Sequence, residues 1–372
     1  MTKARARRPA AAAASAIEGC ANVLDFEAIA RERMERGFYD YYAGGAEDEV
    51  TLAANRGAFA EVFLRPRVLV DVSRIETSVT VLGTPVSMPV LIAPTAFHRL
   101  AHTDGELATA RAAGAARTLM VASTIATYTL EEIAREATGP LWYQLYVYKD
   151  RSLARNLIQR AEKAGYRALC LTVDTPHLGS RERDLRNKFT LPAGIGIRNF
   201  EEAGIDAARM GDSFRTYAHR QLDCSLTWDA VAWLRGETRL PILLKGIIAA
   251  EDAALAAEHG VDGIIVSNHG GRQLDGTEAT LRALPRVVDA VAGRAEVLMD
   301  GGVRRGTDVV KALALGARAV LVGRPCLWGL AAAGEAGVAR VLEMFRQELT
   351  LAMALCGCPA IAAIDRSLIA SG

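Results

Sequence analysis

The chain has 372 residues, 51% of them hydrophobic and 23% charged, with a formal net charge of +1. That suits one large α/β domain or two smaller ones, and the near-neutral balance gives no footing for a nucleic-acid partner. No run approaches the ~20 apolar residues a membrane helix needs, and the scattered cysteines complete no metal site, since Cys356-Gly-Cys358 has no second pair.

From the N terminus, MTKARARR leads into an alanine-rich run in which Ala14-Ser15-Ala16 imitates a signal-peptide cleavage site. Alanines without leucine make a poor apolar signal core. Residues 1–22 therefore read as a disordered tail, residues 23–360 as a single domain, and the protein as reduced and cytoplasmic. Residues 25–60 carry helical patterning and predict an N-terminal cap.

From residue 90 the chain alternates between two patterns. Aliphatic runs stand at VLIAPTA (90–96), TLMVAS (118–123), LWYQLYV (141–147) and ALCLTVD (168–174), and again at PILLKGI (241–247), GIIVSNH (263–269), EVLMDGG (296–302) and AVLVGRP (319–325). Each is short and apolar on both faces, as a parallel strand covered on both sides must be. Amphipathic stretches such as DRSLARNLIQRAEKAG and RGTDVVKALALGA lie between them, several ending in glycine. Eight such repeats predict a (β/α)8 TIM barrel, an α/β fold. A stretch with many charges and Pro and Gly punctuation, 176–226, follows the fourth strand; a loop that long is expected to be functional, here a cover over the barrel mouth.

Barrel enzymes place reactive residues at the C-terminal ends of their strands. His269 and Arg272 sit on SNHGG at such an end, and Asp174 ends another strand, giving a base, a partner for it and a carboxylate clamp. Lys245, one of six lysines against 38 arginines, ends PILLKG. It could be a Schiff-base nucleophile, as in barrel aldolases, or a fixed positive charge beside an electron-accepting cofactor. Strands seven and eight end in DGGVRRG and VGRP, where Gly301, Gly302, Gly323, Arg304 and Arg324 predict a phosphate-bearing ligand.

Taken together, YDYYAGGAEDE (39–49), QLYVYKD (144–150), LTVDTP (171–176), LLKG (243–246), SNHGGRQLD (267–275), DGGVRRGTD (300–308) and VGRP (322–325) resemble the FMN-dependent 2-hydroxy-acid oxidases and dehydrogenases over about residues 23–358. The resemblance implies that His269 takes the substrate's proton, that Asp174 pairs with it, and that Arg272 holds the substrate carboxylate, with Tyr41, Tyr146 and Arg181 also binding substrate. It implies that Lys245 steadies the negative charge of reduced flavin. FMN would then contact Pro94, Thr95, Ala96, Ser123, Gln144, Thr172 and Ser267, with Asp300, Gly301, Gly302, Val303, Arg304, Gly323 and Arg324 around its ribityl chain and phosphate.

Three departures from the family pattern refine the expectation. Ile125 stands where glycolate-preferring members carry tryptophan, so the pocket is expected to admit larger acids, with Phe97 and Tyr128 on the same wall. Ala96 stands where lactate monooxygenases carry glycine, which favours an oxidase that releases the oxo acid and passes electrons to O2, giving peroxide. The absence of a haem domain before the barrel argues against a cytochrome-linked enzyme. A flavin dehydrogenase using a quinone and a flavin-free aldolase working through Lys245 are the alternatives, and the resemblance also implies a homo-oligomer, a tetramer or octamer.

Overall fold

Two short runs, β1 (Val79–Val81) and β2 (Thr84–Val86), pair antiparallel through a tight turn at Leu82 and Gly83, both with positive φ. The structure is a computed structural model that describes residues 17–201 and 221–370. Eight further strands follow in chain order: β3 (Val90–Ile92), β4 (Met120–Ser123), β5 (Leu141–Leu145), β6 (Leu169–Thr172), β7 (Ile242–Ile247), β8 (Gly263–Val266), β9 (Glu296–Met299) and β10 (Ala319–Val322). Each pairs in parallel with the next, and β10 closes on β3 through Val320–Val90 and Leu321–Leu91. The eight aliphatic runs of the sequence are these strands.

The β1–β2 hairpin packs against the far end of the barrel interior. Val79, Val81 and Val86 join Leu91, Val121, Trp142, Leu243, Ile265, Leu298 and Leu321 in one apolar cluster. Leu82 N bonds Glu296 Oε2 at 3.0 Å and Arg318 Nε bonds Thr80 O at 2.8 Å, so the hairpin sits against the N-terminal strand ends. Each such fully buried Val, Leu or Ile contributes ~1.5–3 kcal/mol. The opposite end, left open, carries the polar residues.

The cap expected over 25–60 forms three helices, Asp25–Arg33, Arg36–Ala43 and Val50–Glu61. The domain is longer than the sequence predicts at both ends. Ile17 and Cys20, assigned above to the tail, are buried in the main core, as are Ile364 and Leu368 beyond residue 360. Leu64 also bridges to Ile369. The Ala14-Ser15-Ala16 reading lies outside the described residues, as do 202–220 of the expected cover. Among the described residues no helix is long and apolar enough to cross a membrane.

The described parts of that cover are fastened to the mouth. Arg198 N bonds Ala126 O at 3.2 Å, while Asn199, fully buried, bonds Thr124 O at 3.0 Å and Leu130 N at 2.8 Å. From residue 221 onward, Lys149 N bonds Gln221 O at 2.9 Å and Asp223 N bonds Val147 O at 3.2 Å.

Candidate active site

The strand ends converge on one cavity at the C-terminal mouth, lined by Tyr41, Tyr146, Arg181, Lys245, His269 and Arg272 on one side and by residues 300–304 with Gly323 and Arg324 on another. Pro94, Thr95, Ala96, Ser123, Ile125, Gln144 and Thr172 line it as well. Polar side chains link neighbouring strands across its floor: Ser123 Oγ to Gln144 Oε1 at 3.2 Å, and Gln144 Nε2 to Thr172 Oγ1 at 3.0 Å.

His269 Nδ1 lies 2.8 Å from Asp174 Oδ1, which also accepts from the Thr175 hydroxyl at 2.9 Å. A carboxylate can only accept, so the imidazole carries its proton on Nδ1 and turns the Nε2 lone pair away from Asp174. Burial lowers the His269 pKa below the ordinary imidazole range; Asp174 pulls upward without overcoming it, and Lys245 adds to the lowering. Burial raises the Asp174 carboxyl, but the imidazole, Lys245 and Thr175 outweigh it and hold the group below the ordinary aspartate value. The pair is a neutral base with an ionised partner. Gly246 makes the approach possible: at φ +112, a Cβ there would stand 2.5 Å from the Asp174 Cβ.

Lys245 resolves one alternative. Its Nζ donates to Ser267 Oγ at 2.8 Å and lies 3.1 Å from Asp300 Oδ2, and Ser267 Oγ donates to Asp300 Oδ1 at 2.7 Å. Burial alone would lower its pKa, yet Asp300 and Asp174 raise it above the usual lysine value. A Schiff-base nucleophile needs a neutral amine. Lys245 is instead a fixed positive charge.

The guanidiniums divide into two sets. Arg272 Nη1 donates to the carbonyls of Tyr41 (2.6 Å) and Gly44 (2.9 Å), and its carbon sits 5.1 Å from the Tyr41 ring centroid, leaving Nε and Nη2 for a ligand. Arg181 Nε reaches the Arg272 carbonyl at 3.4 Å. Burial, then Arg181, pulls Arg272 down to about 10, so it stays charged at neutral pH. Burial pushes the Tyr146 phenol up to about 12, keeping it a donor.

Arg304 and Arg324 form the second set. Among the described residues, Arg324 donates only to carbonyls, those of Tyr42 (2.8 Å), Gly270 (3.0 Å) and Gly44 (3.0 Å). Arg304 Nη1 bonds the Val303 carbonyl, while its buried Nε has no partner among the described residues. Burial lowers both, Arg304 to about 10, and each is lowered further by a neighbouring arginine. Buried cations without a carboxylate call for an anion. Gly301, Gly302 and Gly323 line the same end of the cavity as these two arginines, and Gly302, at φ +82, is packed so closely against the cap that a Cβ there would clash with the Asn55 carbonyl. This cradle fits the phosphate of FMN. Arg304→Ala is expected to raise the FMN dissociation constant by about tenfold to a hundredfold, the worth of a charged hydrogen bond. Turnover of the reloaded enzyme should stay near wild type; fluorescence of released flavin measures the first and a saturated assay the second.

Four sequence-predicted residues do not line the cavity. Asp174 stands behind His269, and Ser267 behind Lys245. Phe97, placed above on the substrate wall, adopts φ +56 and is fully buried, 6.1 Å from the Tyr41 ring. Tyr128 turns away to the Thr103 carbonyl at 3.2 Å, with Arg99 against its ring. The wall is instead completed by Tyr148, Leu178, Ile197, Phe200 and Leu222, with the Phe200 and Tyr148 rings edge to face at 5.1 Å. The sequence signal for Ile197 and Phe200 is the IGIRNF run inside a polar segment, and Tyr148 falls within the QLYVYKD motif.

A barrel with a histidine–aspartate base, a buried lysine and an arginine-lined anion cradle at one mouth defines a cofactor-dependent redox site. The chain belongs to the FMN-dependent dehydrogenase family, which it matches over residues 30–371. It is 54% identical over 354 residues to glycolate oxidase of Spinacia oleracea, covering 94% of this chain and 95% of that protein. It is 52% identical over 362 residues to L-lactate oxidase of Nostoc sp., covering 95% and 99%. A solved structure of mandelate oxidase with (S)-4-hydroxymandelic acid superposes with a TM-score of 0.88 at 43% identity, covering 93% of this chain and 97% of that one.

Proposed function

We propose that the protein oxidises (S)-2-hydroxy acids larger than glycolate to 2-oxo acids, with O2 reduced to peroxide. The observation that carries this reading is the neutral His269, backed by Asp174, in one cavity with Arg272 and Lys245. Arg272, with Arg181, binds the carboxylate, and its planar fork fixes the acid in one orientation. His269 Nε2 takes the hydroxyl proton, and Asp174 steadies the imidazolium that results. Tyr146 and Tyr41, both held protonated, donate to substrate oxygens. FMN, held by Arg304 and Arg324, would supply the acceptor for the C2 hydrogen and its electron pair, leaving as hydride, and Lys245 would supply positive charge where that electron density collects. Glycolate oxidase, L-lactate oxidase and mandelate oxidase among the relatives support this substrate class.

The size preference rests on Ile125, which lines the cavity beside the apolar Ile197, Phe200 and Leu222. Each further buried methylene can contribute ~0.8 kcal/mol, so kcat/KM should rise from glycolate to lactate and on toward 2-hydroxyoctanoate or mandelate. Ile125→Trp should return the ratio toward glycolate by penalising the larger acids. A wild type that already favours glycolate, or a variant with unaltered ratios, would remove Ile125 as the gate. Peroxide formed stoichiometrically under air tests the acceptor; turnover only with a quinone would overturn it.

The reading also takes the protein as a cytoplasmic homo-oligomer. All six cysteines are free thiols. Exposed Val68 and Leu69 follow Arg67, whose N bonds Cys356 O at 3.1 Å, next to exposed Leu355, with exposed Leu351 one helical turn earlier. An apolar face of this kind supports self-association, which sedimentation of the purified protein would measure.

A further inference from the structure

We propose that Asn55, on the N-terminal cap, is a positioning residue for His269: through Asn268 it holds the left-handed turn that aims the imidazole into the cavity. The inference rests on the reading of His269 as the base. His269, Gly270 and Gly271 have φ of 58°, 64° and 74°, three consecutive left-handed residues. Glycine adopts this conformation freely, but a residue with a Cβ must be held there by its surroundings.

The Asn268 side chain does much of that holding. Its Oδ1 accepts from Gly271 N at 3.1 Å, bracing the turn around His269, while His269 N donates back to Ser267 Oγ at 3.1 Å. Asn268 in turn is locked by Asn55. The two amides form a reciprocal pair, each Nδ2 donating to the other's Oδ1 at 2.8 Å. Asn268 Nδ2 also donates to Glu278 O at 3.1 Å, and Asn55 Oδ1 also accepts from Thr280 N at 3.2 Å.

Both side chains are buried, at 1% and 7% exposure, and each carbonyl oxygen accepts two bonds. Only one orientation of each amide satisfies the set, so the network specifies a geometry as well as filling space. Asn55 belongs to the helix Val50–Glu61, outside the barrel, whereas Asn268 lies in the loop two residues past the end of the barrel strand β8. The cap is thereby part of the catalytic turn. The Asn55 carbonyl faces Gly302 in the phosphate cradle, but the side chain faces the histidine loop, so a side-chain change separates the two.

The test is a double-mutant cycle on FMN-loaded protein, reading anaerobic flavin reduction by lactate. Asn55→Ala and the isosteric Asn55→Asp, which faces Asn268 Oδ1 with no proton to donate, should each slow reduction by about tenfold to 10²-fold, the cost of misplacing a reacting group by a fraction of an ångström to 1 Å. FMN affinity and the visible spectrum should stay as in wild type. In a His269→Ala background, Asn55→Asp should slow reduction no further, because the group it positions is gone. Fully multiplicative effects, or unchanged reduction in both Asn55 variants, would overturn the proposal while leaving His269 as the base. Unchanged reduction in His269→Ala alone would sink the reading beneath it. If Asn55→Ala fails to retain FMN, Asn55→Asp and Asn268→Asp complete the same cycle, and the same outcomes decide.

Discussion

Replacing His269 with alanine is expected to slow anaerobic flavin reduction by about 10²-fold or more, the usual scale for a positioned acid–base group, while FMN stays bound. The cofactor should remain because the histidine touches neither Arg304 nor the glycine cradle among its bonded partners; it bonds Asp174 and Ser267. The pH profile should carry the same signature. The active form is the neutral imidazole, whose pKa burial has lowered. Reduction should therefore be flat through neutral pH and fall only as pH drops through a value below the ordinary imidazole range. Asp174→Asn removes the charge that pulls that pKa upward. Its acid limb should move to still lower pH while the plateau rate falls, since the base is weaker and its imidazolium is no longer steadied. The double variant should lose less than the product of the two single losses. A rate in His269→Ala equal to wild type would take the residue out of the mechanism.

The barrel was legible because its eight strands are apolar on both faces, a pattern that few other structures impose on runs this short. The site residues followed from it, since strand ends and the mouth are the same place: Gln144, Thr172, Lys245 and Asp300 all lie within two residues of a strand's C-terminal end and all line the cavity. Residues one turn further along the loops were not legible. Phe97 and Tyr128 lie close to strand ends in sequence, but left-handed backbone at Phe97 rotates its ring beneath Tyr41, and the Tyr128 hydroxyl finds the Thr103 carbonyl. Periodicity cannot foresee either choice. The same applies to Phe200 and Leu222, which reach the site because Asn199 and the backbone at 221–223 are bonded to neighbouring barrel loops. The β1–β2 hairpin was missed for a different reason: two strands of three residues give too little alternation to register.

Arg272→Leu is expected to lower kcat/KM for a 2-hydroxy acid by about 10²- to 10³-fold, the cost of truncating one partner of a buried charge pair. Most of the loss should appear in KM, since the guanidinium is argued to hold the carboxylate in ground and transition states alike. Arg272→Lys should recover little. An ammonium offers no planar fork, and it would give up the cation–π contact now made with Tyr41. Arg181 lines the same cavity, so its alanine variant should show a smaller loss of the same kind. Arg272 also ties the Tyr41 and Gly44 carbonyls of the cap to the barrel, and a loosened cap could mimic lost recognition. Comparing each acid with its uncharged amide separates the two. Wild type should prefer the acid strongly, because the amide leaves the buried guanidinium without a counter-charge. In Arg272→Leu that preference should collapse while activity toward the amide changes little. An equal loss for acid and amide would mean that Arg272 serves the cap rather than the carboxylate.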